Sequence, residues 1–222
     1  MLLLPTKRSL SIIPTLTLSL AYLSTLSHSL PPLPTPHPAT HGFSSSANWL
    51  VPSKLLVGTS PLNTDDPSST LSKILNSNIS TFVSLQKETP PEPYPEGYSQ
   101  YLSSSSSSSS SLLSCNFLHF GVEDFGVFES LDSMKAAVDE ITETMKGPIY
   151  VHCLSGKGRT GLLSSCLLSN FYDVKSSEDA LKYVQSCYRL RAEFGNEEAV
   201  DGISPETEEQ REMVRKFYEE LK

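Results

Sequence analysis

Val151–Gly161 reads VHCLSGKGRTG: an apolar entry, a cysteine, a glycine-rich turn, an arginine six residues beyond the cysteine, then a threonine and a glycine. The apolar run PIYVHC before it reads as a strand, and RTGLLSSCLLSNF after it as a helix that is apolar on most sides. Gly156 and Gly158 allow backbone conformations closed to other residues, so successive N–H groups can turn inward and form a concave anion-binding nest. The helix beginning near Arg159 aims its positive end at the same point. Arg159 adds a fixed charge and a planar fork matched to two phosphate oxygens. Cys153 lies at the base of this nest, where every neighbour favours its ionised, nucleophilic form. The spacing is not that of a Walker nucleotide loop, which needs Gly-Lys followed by Ser or Thr.

The surrounding chain supplies strands and helices in alternation. KLLVGTSP and ISTFVSLQ are short β-type runs, with LSKILNSN at helical spacing between them, and CNFLHFGVED is a strand running into a loop. Leu131, Met134, Val138, Ile141 and Met145 then repeat at steps of three and four, with Ser130 as N-cap and Gly147-Pro148 as the stop. Two further helices follow the cysteine loop and its own helix. SSEDALKYVQSCYRL opens at Ser177 with two acids, and SPETEEQREMVRKFYEEL is expected to open at Ser204-Pro205. This order predicts an α/β domain, a central mostly parallel sheet flanked by helices.

Composition changes sharply along the chain. No Asp or Glu precedes Asp65, whereas Lys7 and Arg8 sit near the start. The apolar, hydroxyl-rich run and the Pro-rich stretch after them read as a presequence over residues 1–45, directed to a plastid or mitochondrion, with a cytoplasmic or endomembrane place as the alternative. Pro14 and the many Ser and Thr argue against a membrane span. Residues 46–222 form the expected catalytic domain, interrupted over 88–114 by a low-complexity surface insertion that includes nine serines, Ser103–Ser111. All 25 acidic residues and all but two of the 17 basic ones lie after residue 45, so the body carries a net charge of −10. Such a balance excludes a nucleic-acid partner, whose affinity comes from phosphate neutralisation by basic patches. The four cysteines, Cys115, Cys153, Cys166 and Cys187, show neither zinc-site pairs nor disulfide density. Cys166 and Cys187 read as small core residues.

HCLSGKGRTG resembles the signature loop of the cysteine-dependent protein tyrosine phosphatases, His-Cys, five residues, Arg, Ser or Thr, Gly, and the short domain is most similar to their small dual-specificity branch. The resemblance implies hydrolysis of phosphomonoesters on a phosphorylated protein, through a phosphocysteine, with no metal or cofactor. Cys153 would attack phosphorus, Arg159 would hold the equatorial oxygens, and Leu154, Ser155, Gly156, Lys157 and Gly158 would complete the phosphate cradle. Thr160 would hydrogen-bond the sulfur, and His152 would orient and stabilise the thiolate. The leaving oxygen needs a proton. In the family an Asp about thirty residues upstream supplies it, a place held here by Asp124, with Glu123 adjacent and competing. Gln210 resembles a glutamine recurring in relatives, though a surface helix glutamine fits its context equally.

Lys157 adds a charge as in relatives acting on phosphoinositides, but Leu154 stands where those carry a second lysine. Phosphoinositides, phosphoglycans and other small phosphates therefore stay open as substrates beside phosphoproteins. Two other classes also stay open: an inactive phosphate-binding module, and a sulfur-transfer protein of the rhodanese type.

Overall fold

Among the residues described by the computed structural model, 29–87, 98 and 112–222, five strands form one sheet. They are β1 (Ala47–Val51), β2 (Leu55–Thr59), β3 (Thr81–Gln86), β4 (Asn116–Val122) and β5 (Ile149–Cys153), in the order β1-β2-β5-β3-β4. Only β1 runs antiparallel to its neighbour; β2, β5, β3 and β4 are mutually parallel. β5 is central and buried throughout. Its register places Cys153 opposite Thr59, and His152 between Gly58 and Ser84. The carboxyl ends of the parallel strands thus converge where the cysteine loop leaves the sheet, the usual place for a ligand in an open α/β fold.

The period-two alternation of these strands divides the core. Leu55, Val57, Val83, Leu85, Ile149 and Val151 face one apolar cluster, with Cys153 at its edge. Leu56, Phe82 and Tyr150 face a second. The first is covered by α3 (Leu131–Thr144), α4 (Gly158–Leu167), α5 (Ser177–Arg189) and α7 (Glu208–Glu220). The second is covered by α2 (Pro67–Leu75), whose Leu71, Ile74 and Leu75 are buried. Two short helices remain, α1 (Pro38–His41) and α6 (Glu198–Asp201).

α3 begins as its sequence requires. Ser130 accepts from the Ser133 N–H at 3.0 Å, and Ser133 returns the bond to the Ser130 N–H. All ten residues of α4 are buried, so it is the central helix that its apolar sides foretell. α5 also starts at Ser177, capped by Ser176.

α7 departs from expectation. It begins at Glu208, capped by Thr207 and Gln210, not at Ser204-Pro205. Ser204 is engaged elsewhere, its hydroxyl donating to the Lys157 carbonyl at 2.8 Å and its N–H to Gln185 at 2.7 Å.

The stretches read as leader and insertion also contribute to the core. His41 is buried and bonded through Nε2 to the Tyr183 hydroxyl at 3.0 Å, while the Asp173 N–H donates to the Pro31 carbonyl. A boundary drawn at residue 46 cuts through these contacts. Tyr98 and Leu112, both inside the Pro- and Ser-rich stretch, are fully buried. Residues 1–28 and the serine tract lie outside the described residues. No helix among those described is long and apolar enough to cross a membrane.

Candidate active site

The cysteine loop runs from Cys153, at the end of β5, to Gly158, at the start of α4. Its carbonyls are tied to neighbours outside it. Leu154 O accepts from the Ser60 N–H at 3.1 Å and from Asn63 at 3.3 Å, Ser155 O from the Thr59 hydroxyl at 3.0 Å, and Lys157 O from Ser204. These bonds pin the loop from outside at three of its carbonyls. Gly156 makes the turn at φ +68°, and a Cβ there would lie 2.2 Å from the Gly58 carbonyl carbon, so only glycine fits. Cys153 sits at the floor, 1% exposed.

Arg159 is 2% exposed and reaches across to the loop after β4. One terminal nitrogen donates to Val122 O at 2.9 Å and the other to Asp124 Oδ1 at 2.8 Å. Asp124 Oδ1 also accepts from the Phe125 N–H at 3.1 Å. Glu123 turns away instead, pairing with Lys87 at 2.7 Å with its side chain 67% exposed. Of the two competing carboxylates, only Asp124 is paired with the loop arginine.

Three expectations about individual side chains change. His152 is fully buried and stacked on Tyr150, with Nε2 2.8 Å from the Tyr98 hydroxyl and Nδ1 3.3 Å from the Cys153 carbonyl. Burial pushes its pKa down to about 4, an effect that the bond to the Cys153 carbonyl only partly offsets, so the ring is neutral at pH 7. One proton on Nδ1 satisfies both contacts. His152 therefore fixes the backbone of the nucleophile and adds no charge to the sulfur.

Thr160 is buried, but its hydroxyl bonds no partner among the described residues, the sulfur included. Placed in the first turn of α4, it shares a helix face with Ser164, and the two line one small cavity. Lys157, expected to lend the cradle a charge, is clamped between Glu198 at 2.5 Å and Glu206 at 2.7 Å. Partial burial opposes its ammonium, yet these two hydrogen bonds outweigh it and hold the pKa above the ordinary lysine range.

Gln210 is buried, contrary to the surface reading. Its Oε1 accepts from the Glu206 and Thr207 N–H groups, and its Nε2 donates to Gly126 O at 3.0 Å. It thereby ties the loop carrying Asp124 to α7. Gln210→Ala takes the side-chain partner from three part-buried backbone groups and is expected to cost about 1–3 kcal/mol of stability, read from urea unfolding. Tyr98, Asn63 and Gln210 support the site from distant segments. The spacing of Gln210 three residues after Thr207, a capping-box pattern that the expected start at Ser204-Pro205 passed over, is a local signal that could have found one of them.

A cysteine cradled between a parallel strand and a buried helix, faced by an arginine and an aspartate, is the arrangement of a cysteine-based phosphatase. Residues 44–214 match the family model of the Swiss Army Knife protein DSP-PTPase phosphatase domain, PTP-SAK, and the chain belongs to that family. Solved structures agree on the fold. Tk-PTP in its active form shares 16% identity at a TM-score of 0.54, over 78% of this chain and 97% of its own. Kinase associated phosphatase, KAP, shares 16% at 0.52, over 75% and 86%, and human DUSP28 13% at 0.52, over 86% and 98%. No curated protein sequence matches the chain.

Proposed function

We propose that the chain hydrolyses phosphomonoesters on protein side chains, as a tyrosine or dual-specificity phosphatase working through a phosphocysteine. The Cys153 thiolate attacks phosphorus, the bond to the leaving oxygen breaks, and Asp124 gives that oxygen its proton. Water then attacks the phosphocysteine, Asp124 takes a proton from it, and the P–S bond breaks to return the thiolate and free phosphate. Arg159 and the loop N–H groups hold the non-bridging oxygens throughout, where preorganised donors stabilise the developing charge.

The observation that carries the choice of substrate is the clamping of Lys157 by Glu198 and Glu206. A polyphosphorylated headgroup calls for several free cations around the cradle, and this lysine is already neutralised by two carboxylates. A single phosphate on a peptide needs only Arg159 and the loop.

The test is the full-length chain assayed against phosphotyrosine, phosphoserine and phosphothreonine peptides, phosphoinositides, phosphoglycans and nucleotides. Phosphotyrosine peptides are expected to exceed phosphoinositides in kcat/KM by about tenfold or more, a difference of about 1.4 kcal/mol. The reverse order overturns the substrate assignment. Thiosulfate-to-cyanide transfer without phosphatase turnover overturns the reaction.

A further inference from the structure

Five buried side-chain polar atoms bond no partner among the described residues, and three of them line one small cavity. They are a terminal nitrogen of Arg191 and the hydroxyls of Thr160 and Ser164. The cavity lies behind the cysteine loop, between the first turns of α4 and the 3-10 turn Leu190–Phe194 that follows α5. Chance scatter would not gather three such atoms, each costly to leave unpaired, around one space.

Arg191 is 1% exposed. Its Nε donates to Asn48 Oδ1 at 2.7 Å, one terminal nitrogen donates to Val57 O at 3.2 Å, and the guanidinium lies 4.9 Å from the Tyr188 ring centroid. The other terminal nitrogen is the orphan. The space open to the centre of a water-sized sphere is about 10 Å³. One water molecule needs about 10–15 Å³ and two to four polar partners, and three are present.

We propose that the cavity is a site for a single structural water, and that through it Arg191 acts as a positioning residue for the cysteine loop. The arginine donates to the water oxygen, and the two water hydrogens go to Thr160 Oγ and Ser164 Oγ. All three orphans are then satisfied at once. Because Thr160 follows Arg159 directly, the relay fixes the rotation of the turn that presents Arg159 and the loop N–H groups to an oxyanion. The proposal depends on the phosphatase reading only for the anion that the loop takes.

Ser164 touches no substrate and separates the outcomes. Ser164→Ala removes one bond to the water, and Ser164→Val also fills its space with a methyl group. In a wet, bonded site both variants lower the Tm of the full-length chain, by about 2–4 °C for each bond's worth of stability. Alanine is the better helix former, so a fall in Ser164→Ala has no source in helix propensity. In a dry cavity the signs invert, because alanine removes an unpaired hydroxyl and valine fills a void. An unchanged or raised Tm for either variant overturns the water site.

Tungstate affinity, measured by titration calorimetry, tests the positioning role without requiring turnover. Ser164→Val is expected to weaken it about tenfold; unchanged affinity overturns the coupling. Tight tungstate binding in a wild-type chain that turns over no phosphoester would sink the phosphatase reading and leave the relay standing.

Discussion

Cys153→Ser is expected to abolish turnover of p-nitrophenyl phosphate, by roughly 10⁴-fold or more, while tungstate still binds. The two halves of this result come from different atoms. Binding is assigned to the loop N–H groups and Arg159, and the loop is held by Gly156 against β2 and by the ties to Thr59, Ser60, Asn63 and Ser204. Bond making is assigned to one sulfur, and a serine hydroxyl in its place lacks an adjacent base to activate it, since burial holds His152 at a pKa of about 4 and both of its ring nitrogens are spent on Tyr98 and the backbone. The other cysteines cannot substitute. Burial pushes Cys115 up to about 11, Cys187 up to about 12 and Cys166 well above the ordinary thiol range, so all three remain protonated at neutral pH. Residual activity above about one per cent would place the nucleophile elsewhere. Loss of tungstate binding along with turnover would make Cys153 a structural residue.

The parts of this site that local sequence discloses are those built by neighbouring residues. Strand, glycine turn and helix are contiguous from Val151 to Leu167, and their chemistry follows from residue type at each step. α3 is legible for the same reason, since its cap and apolar stripe lie within fifteen residues. What local pattern hides is pairing over distance. Tyr98 comes from a stretch whose Pro and Ser content speaks for surface, yet it meets His152 across 54 residues and holds that histidine to the backbone where it was expected to orient and stabilise the thiolate. Arg191, in a run of charged residues, looks solvated until Asn48 and Val57 are found 143 and 134 residues away. Lys157 looks like a free cation because the acids that neutralise it belong to α6 and to the turn before α7. Ser204 has the residue type of a helix cap, but the cysteine loop claims its hydroxyl, and Thr207 caps α7 instead.

Asp124→Asn should lower kcat by about 10²–10⁴-fold, with the deficit largest for poor leaving groups such as phosphoserine and smallest for p-nitrophenyl phosphate. The substitution isolates the proton. Asp124 uses a single oxygen, Oδ1, to accept from both Arg159 and the Phe125 N–H, and the carboxamide oxygen of asparagine can accept the same two bonds. Loop conformation and arginine position are thereby retained, and only the exchangeable proton is lost. Glu123→Gln is the matched control. That carboxylate pairs with Lys87 on the exposed side of the loop, where water screens the two charges, and its loss is expected to change kcat by less than about twofold. A leaving-group dependence that appears in Glu123→Gln and not in Asp124→Asn would move the acid one residue upstream. The contact between Asp124 and Arg159 would then serve to hold the arginine in place before substrate arrives, and the loop from Val122 to Gly126 would have to rotate on binding to bring Glu123 over the phosphate.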